Sequence, residues 1–208
     1  APRTHRRRRP FADDEILLMR LVAIIVRRTD PKSPLPAMYA LVETGMTPGE
    51  TSNFRSNDLD DPNNPTLVLA AGNRVQNARF LPLDRFAARI LVSAVAQAHQ
   101  RGLEPHETVI YRGTKNAPGS PAATASVQGV LNRFLKQLGL HQADVSASSI
   151  RKWRLEQVYI AQGVQAALTH AGYGSATEDQ DRLWLHLDVV APLTTTTTEP
   201  DEDEDFLN

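Results

Sequence analysis

Ser146-Ala-Ser-Ser-Ile-Arg-Lys152 opens the carboxy-terminal half of the chain, and the rest of the sequence is read outward from it. Apolar residues at helical spacing run from Ser148 to Gln162 and again from Val164 to Ala171, which places Arg151 near the start of a helix. An arginine there has two readings. It is a fold residue that bonds a backbone carbonyl or pairs with Asp144, or it is a cation that contacts phosphate.

Upstream, Ser126 to Leu138 has helical spacing, and Lys115 to Ala123 is a loop rich in Pro, Gly and Ala. Thr108-Val-Ile-Tyr-Arg112 reads as a brief extended piece and Asp84 to Arg101 as a helix. Thr66-Leu-Val-Leu-Ala70 and Arg79-Phe-Leu-Pro-Leu83 flank a polar loop containing Gly72-Asn73, which predicts a two-stranded hairpin. Further out, helix one spans about Ala12 to Arg28, with Asp13, Asp14 and Glu15 at the positive end of its dipole. Helical spacing from Ala37 to Thr44 ends at Gly45, and a short helix follows from Gly49 to Arg55. Downstream, a last helix is expected over Ala176 to Leu187, and a threonine run and acidic residues follow Pro192. The expected fold is mainly α with a small antiparallel β-hairpin. Residues 1–10 form a basic flexible arm, 11–188 the domain, and 189–208 a Thr-rich linker with an acidic disordered tail.

Composition bounds the function. At 208 residues and 41% hydrophobic, the chain can bury one core. It has no cysteine, which excludes disulfides, thiolate metal sites and cysteine nucleophiles. The histidines are scattered without metal-ligand spacing, so neither a metal nor a cofactor is expected. No apolar run approaches the roughly 20 residues that cross a bilayer, so the expectation is a cytoplasmic protein with no membrane partner, nucleoid-associated if it binds DNA. The net charge of −1 conceals five arginines within the first nine residues and six carboxylates within the last ten. Without that tail the body carries about +5, which suits a polyanionic partner.

The order of helices, hairpin and further helices resembles the catalytic domain of tyrosine recombinases, the phage integrase family. Thr44-Gly-Met-Thr-Pro-Gly-Glu50 is similar to the family's Thr-Gly-Leu-Arg-x-Gly/Ser-Glu segment, and Phe54-Arg-Ser-Asn-Asp-Leu-Asp60 to the Leu-Arg-x-x-Asp-Ile-Asp after it. Gly72-Asn-Arg through Leu83 resembles the hairpin that ends in Val-Pro-Leu, and Ser148-Ser-Ile-Arg151 occupies the His-x-x-Arg signature. Ala171-Gly-Tyr-Gly-Ser175 matches the Leu-Gly-His-Ser segment, and Trp184-Leu-His-Leu187 falls near the segment that holds the tyrosine nucleophile.

In that family a tyrosine attacks a DNA phosphodiester, two arginines and a histidine or tryptophan stabilise phosphoryl charge, and a hairpin lysine protonates the leaving oxygen. The resemblance implies that this chain has lost most of that set. Thr47 stands for the first arginine, Ala70 or Ala71 for the lysine, Ser148 for the first histidine, Tyr173 for the later one, and Trp184 or Arg182 for the nucleophile. Only Arg151 matches, followed by Lys152 where a second histidine is common. The expectation is a catalytically inactive, recombinase-like protein that binds DNA, regulating recombination or transcription. Its DNA contacts would be Arg6, Arg7, Arg8, Arg9, Arg74, Arg79, Arg151 and Lys152. Two alternatives stay open: an active integrase with rearranged catalytic residues, and a protein-interaction scaffold. Self-association or a protein partner would use the C-terminal segment, where Phe206-Leu207 lies in an acidic arm.

Overall fold

The computed structural model of the chain describes residues 8–113 and 115–174. Its elements are α1 (Asp13–Thr29), α2 (Leu35–Thr44), α3 (Pro48–Ser52), β1 (Leu67–Ala70), β2 (Arg79–Pro82), α4 (Arg85–Gln100), α5 (Pro121–Gln137) and α6 (Ala147–Ala171). A single 3-10 turn, Ser56–Asp58, follows α3.

The helix α2 is the pillar of the fold. Its Leu-Pro-Ala-Met-Tyr-Ala-Leu-Val run is apolar on every side, and a helix of that kind is stable only when surrounded. Every residue from Pro36 to Thr44 is buried, with α1, α3, α4, α5 and α6 packed around it. Tyr39 at its centre meets Phe86 and Phe134 edge to face, with ring centroids 6.0 and 5.8 Å away, and its hydroxyl donates to the Ile16 carbonyl at 3.3 Å. From α1 only Ile16, Met19 and Ala23 are buried, so this helix presents one narrow edge to the core.

The two strands pair antiparallel in the register Leu67 with Pro82 through Ala70 with Arg79. Val68, Ala70 and Leu81 are buried while Leu67, Phe80 and Pro82 are exposed, the alternation expected of a hairpin with one wet face. Asp84 caps α4 by accepting from the Ala87 N–H at 2.8 Å.

Three expectations need correction. α5 starts at Pro121, inside the segment read as loop, because Ser120 accepts the Ala123 N–H and Pro121 fits the first helical position, where no donor is needed. Thr108–Arg112 is no strand; Thr108 makes an isolated bridge to Arg55, and Val109 and Ile110 are anchored by burial. The short helix expected to Arg55 stops at Ser52, where the Asn53 N–H bonds back to Glu50. By contrast, Gly163 is the expected interruption: it lies within α6 at φ 84° and ψ 178°, which breaks the helix into two segments. The expected helix over 176–187 and the tail lie outside the described residues.

Truncating a fully buried side chain should therefore cost far more than truncating an exposed one. Leu91→Ala in α4 is expected to lower unfolding free energy by roughly 2–5 kcal/mol. Ile160→Ala, 70% exposed on α6, is expected to leave it within about 0.5 kcal/mol. Paired urea titrations of the two variants check this.

Candidate functional site

The residues that carried the sequence motifs converge where α2 ends. Gly45 follows α2 with φ 121°, a left-handed conformation that turns the chain towards α3. A side chain there has no room, since a Cβ would lie 2.5 Å from Nε2 of His170. The Gly45 carbonyl accepts from Arg151 Nε at 2.7 Å and from Arg79 Nη2 at 3.3 Å. Arg151 Nη2 also donates to the Ala171 carbonyl at 2.9 Å. One arginine thus ties the start of α6 to its own far end and to the end of α2.

Beside it lies a buried ion pair. Arg79, projecting inward from β2, meets Glu50 of α3 at 2.7 Å through Nη1 and 3.2 Å through Nη2. Its Nε donates to the His170 carbonyl at 2.7 Å, and Nη1 also reaches the Asn77 carbonyl at 3.3 Å. Together with the bond to Gly45, these contacts use all five guanidinium N–H groups. Glu50 in turn accepts from the Thr47 N–H at 2.7 Å and from the Thr47 hydroxyl at 3.0 Å, while the Thr47 hydroxyl accepts from the Glu50 N–H at 3.2 Å. This is a capping box whose carboxylate serves two ends at once.

Charge states follow from these neighbours. Burial alone would raise the Glu50 carboxyl, but the Arg79 guanidinium and the Thr47 donors outweigh it and hold it below the usual carboxylate range. Burial lowers Arg151 to about 10, and the nearby Arg79 charge acts in the same direction. It remains cationic at pH 7. Burial also drives His170 down to about 4, aided by Arg154, Arg79 and Arg151. Neutral His170 uses Nε2–H to donate to the Thr44 carbonyl at 2.8 Å. Two guanidiniums against one carboxylate leave the cluster with one net positive charge at neutral pH.

The structure brings together Thr47, Arg151 and Tyr173, which is buried and lies close enough to Arg151 to affect its charge. Ala70 is buried and Ala71 exposed, and neither offers a proton. Ser148 is exposed at the start of α6, 2.8 Å from the Ser146 hydroxyl. Arg74 is exposed on the hairpin loop. Arg8 donates to the Ser146 hydroxyl at 2.7 Å, and Lys152 bonds the Arg8 carbonyl, so both gather at the entry to α6.

Two of the residues expected to contact DNA are bonded within the chain. Arg79 has no N–H left for phosphate. Arg9 is clamped bidentately on Glu15 at 2.7 and 2.8 Å and on Asp144 at 3.2 Å, which also fixes residues that were expected in a flexible arm. Arg6, Arg7, Arg182 and Trp184 lie outside the described residues. His170 and the Glu50–Arg79 pair were not singled out from sequence; the available signal was Thr47-Pro-Gly-Glu50, a capping box in which the glutamate could also serve a distant partner.

A second network backs the site. Arg20 of α1 bonds Glu43 through Nε at 2.9 Å and also bonds Asp84, and Arg154 of α6 donates to the Glu43 carbonyl at 3.1 Å. Trp153 stacks against both guanidiniums and donates Nε1–H to Asp13. Among the described residues no group of three His, Asp or Glu side chains could hold a metal ion.

Glu50→Gln should cost roughly 3–5 kcal/mol of stability, because it strands the Arg79 charge in the interior; chemical denaturation at pH 7 checks this. His170 makes stability depend on acid. Its folded value of about 4 lies below the ordinary 6.5, so its contribution is complete above pH 6.5 and falls as pH drops towards 4. The loss is on the order of 3 kcal/mol, and denaturation curves between pH 7 and 4 should be flatter for His170→Gln.

The sequence matches no protein-family model and no curated protein. Solved structures do match. XerA recombinase superposes over 91% of this chain and 62% of its own, with TM-score 0.62 and 12% identity. A lambda integrase dimer bound to a COC′ core site covers 85% of this chain and 48% of its own, with TM-score 0.57 and 18% identity. Tn1549 transposon integrase in complex with a circular intermediate DNA covers 88% of this chain and 66% of its own, with TM-score 0.56 and 11% identity. The chain therefore spans about half to two thirds of the length of these structures. No described helix is long and apolar enough to cross a membrane. The helices around α2, the hairpin joined to them by Arg79, and these superpositions together show that the chain has the fold of a tyrosine recombinase catalytic domain.

Proposed function

We propose that this chain is a DNA-associated, recombinase-fold protein that binds the phosphodiester backbone without cutting it, and that it regulates recombination or transcription. The observation that supports this best is the cluster at Gly45. Thr47, where the family resemblance calls for an arginine, is a helix cap whose hydroxyl is engaged with Glu50. The nearest second guanidinium, Arg79, is saturated by protein acceptors. Among the described residues of the cluster, Arg151 is left with donor capacity, since only its Nε and Nη2 are engaged. Two of the matching structures are DNA complexes by their own descriptions, and the shared fold makes DNA the first ligand to test here.

The alternative of a rearranged active enzyme has one candidate nucleophile in the site, Tyr173. Suicide DNA substrates should give no covalent adduct with the full chain. An adduct that disappears in Tyr173→Phe would replace this reading with the active one. Binding to duplex DNA should weaken with salt, and Arg74→Ala or Lys152→Ala should each reduce the slope of log affinity against log salt by roughly 0.9. If the chain shows no salt-dependent binding to duplex DNA, it is a protein-interaction scaffold; if both variants bind with unchanged slope, other cations make the phosphate contacts.

A further inference from the structure

Between α1 and α4 runs a groove of about 560 Å³ lined mainly by arginine. Arg27 and Arg28 come from the last turn of α1, and Arg85 and Arg89 from the first turns of α4. Among the described residues none of these four makes an ion pair or donates a side-chain hydrogen bond. The carboxylates closest to the groove's inner end, Glu43 and Asp84, are already engaged by Arg20 and Arg154. Burial lowers the pKa of Arg27 with no acid to offset it. Four crowded cations without a counter-charge are electrostatically unfavourable, and an anionic occupant relieves that repulsion.

The kind of anion is set by what lies beside the charges. Ile24 and Phe86 form an apolar floor. Leu17, Leu21 and Ile25, spaced one helical turn apart on α1, are 67%, 55% and 48% exposed. At 100° per residue they form a strip next to the groove-facing positions 20, 24, 27 and 28. A nucleic-acid backbone matches the guanidiniums but leaves that leucine strip in water. An acidic peptide with apolar residues at its end matches both, and this chain carries one: Glu199, Asp201, Glu202, Asp203, Glu204 and Asp205, followed by Phe206-Leu207.

We propose that the arginine groove between α1 and α4 is the docking site of the chain's own segment 199–207, bound intramolecularly. Its carboxylates pair with Arg27, Arg28, Arg85 and Arg89, and Phe206 and Leu207 cover the exposed apolar strip of α1. If unstructured, the roughly 25 residues from Gly174 to Glu199 would span about 25–30 Å, about the diameter of a small domain. Tethering over such a length gives an effective concentration on the order of mM, so modest intrinsic affinity suffices. The occupied groove would leave the Gly45 cluster untouched, so this inference does not depend on the chain's binding DNA.

The absence of cysteine makes the test direct. The full chain carrying Asn208→Cys is labelled with a nitroxide, and paramagnetic broadening of backbone amides is measured at low salt. Amides of α1 and α4 around residues 24, 28 and 89 should lose more than half their intensity. The effect should persist on tenfold dilution and vanish in high salt. It should also vanish in Arg28→Ala/Arg89→Ala, whose side chains are exposed and unbonded so that the fold, checked by thermal melting, is retained. Asp203→Asn/Glu204→Gln/Asp205→Asn should likewise relieve it. Absence of broadening at these amides overturns the proposal, as does broadening that grows with protein concentration, which would assign the groove to a second copy. Duplex DNA that shifts these same amides in a chain whose label broadens none of them would assign it to nucleic acid.

Discussion

The buried pair of Glu50 and Arg79 is the contact on which the site depends. Removing two ions from water costs several kcal/mol each, and the attraction between them compensates only when every remaining donor and acceptor is satisfied. Here Arg79 meets that condition with a carboxylate and the carbonyls of Gly45, Asn77 and His170. Those partners belong to the end of α2, the approach to β2 and the end of α6, so a single side chain fastens the hairpin to the helical body. The same contact fixes Glu50, which holds Thr47 as a cap, and the same crowding requires glycine at position 45 opposite His170.

A rigid anchor of this kind separates the cluster's architecture from its chemistry. Arg151 holds a position set by the carbonyls of Gly45 and Ala171, and its guanidinium is oriented whether or not a ligand is present. The residues around it are chosen for packing and capping: Thr47 closes a helix, Tyr173 is buried, and His170 is neutral because it is buried, with three nearby arginines acting in the same direction. The Arg20–Glu43–Asp84–Arg154 network performs the equivalent task on the other side of α2, joining α1, α4 and α6.

Much of this fold was legible because its signals are local. The hairpin follows from two short apolar runs around Gly72, and the break in α6 from a glycine within a helical pattern. α5 was read five residues too short because Pro and Gly around 118–121 suggest a loop, whereas Ser120-Pro121 is a helix start once the Ala123 N–H needs an acceptor. Arg79 reads as a DNA contact because arginine is rarely buried, and nothing within its own strand indicates a glutamate 29 positions upstream. Arg9 pairs with Glu15, six residues on, and with Asp144, 135 residues away, and only the nearer partner lies within reach of a local reading. The groove was invisible for a related cause: Arg27 and Arg28 are separated from Arg85 and Arg89 by the whole of α2, α3 and the hairpin.

The charge count at the Gly45 cluster bears on the proposal that the chain binds the phosphodiester backbone without cutting it. A phosphodiester carries one negative charge, and attack at phosphorus adds a second in the transition state. Only interactions that strengthen along that path accelerate it. Among the described residues the cluster carries one net positive charge, which balances the ground state, and Arg79, saturated by protein oxygens, has no N–H left to meet the second charge. Replacing Thr47 by arginine would supply that charge but would also remove the hydroxyl that caps α3 and one donor that holds Glu50 against Arg79. The cap and a guanidinium therefore compete for position 47, so placing an arginine there would call for compensating substitutions around Glu50.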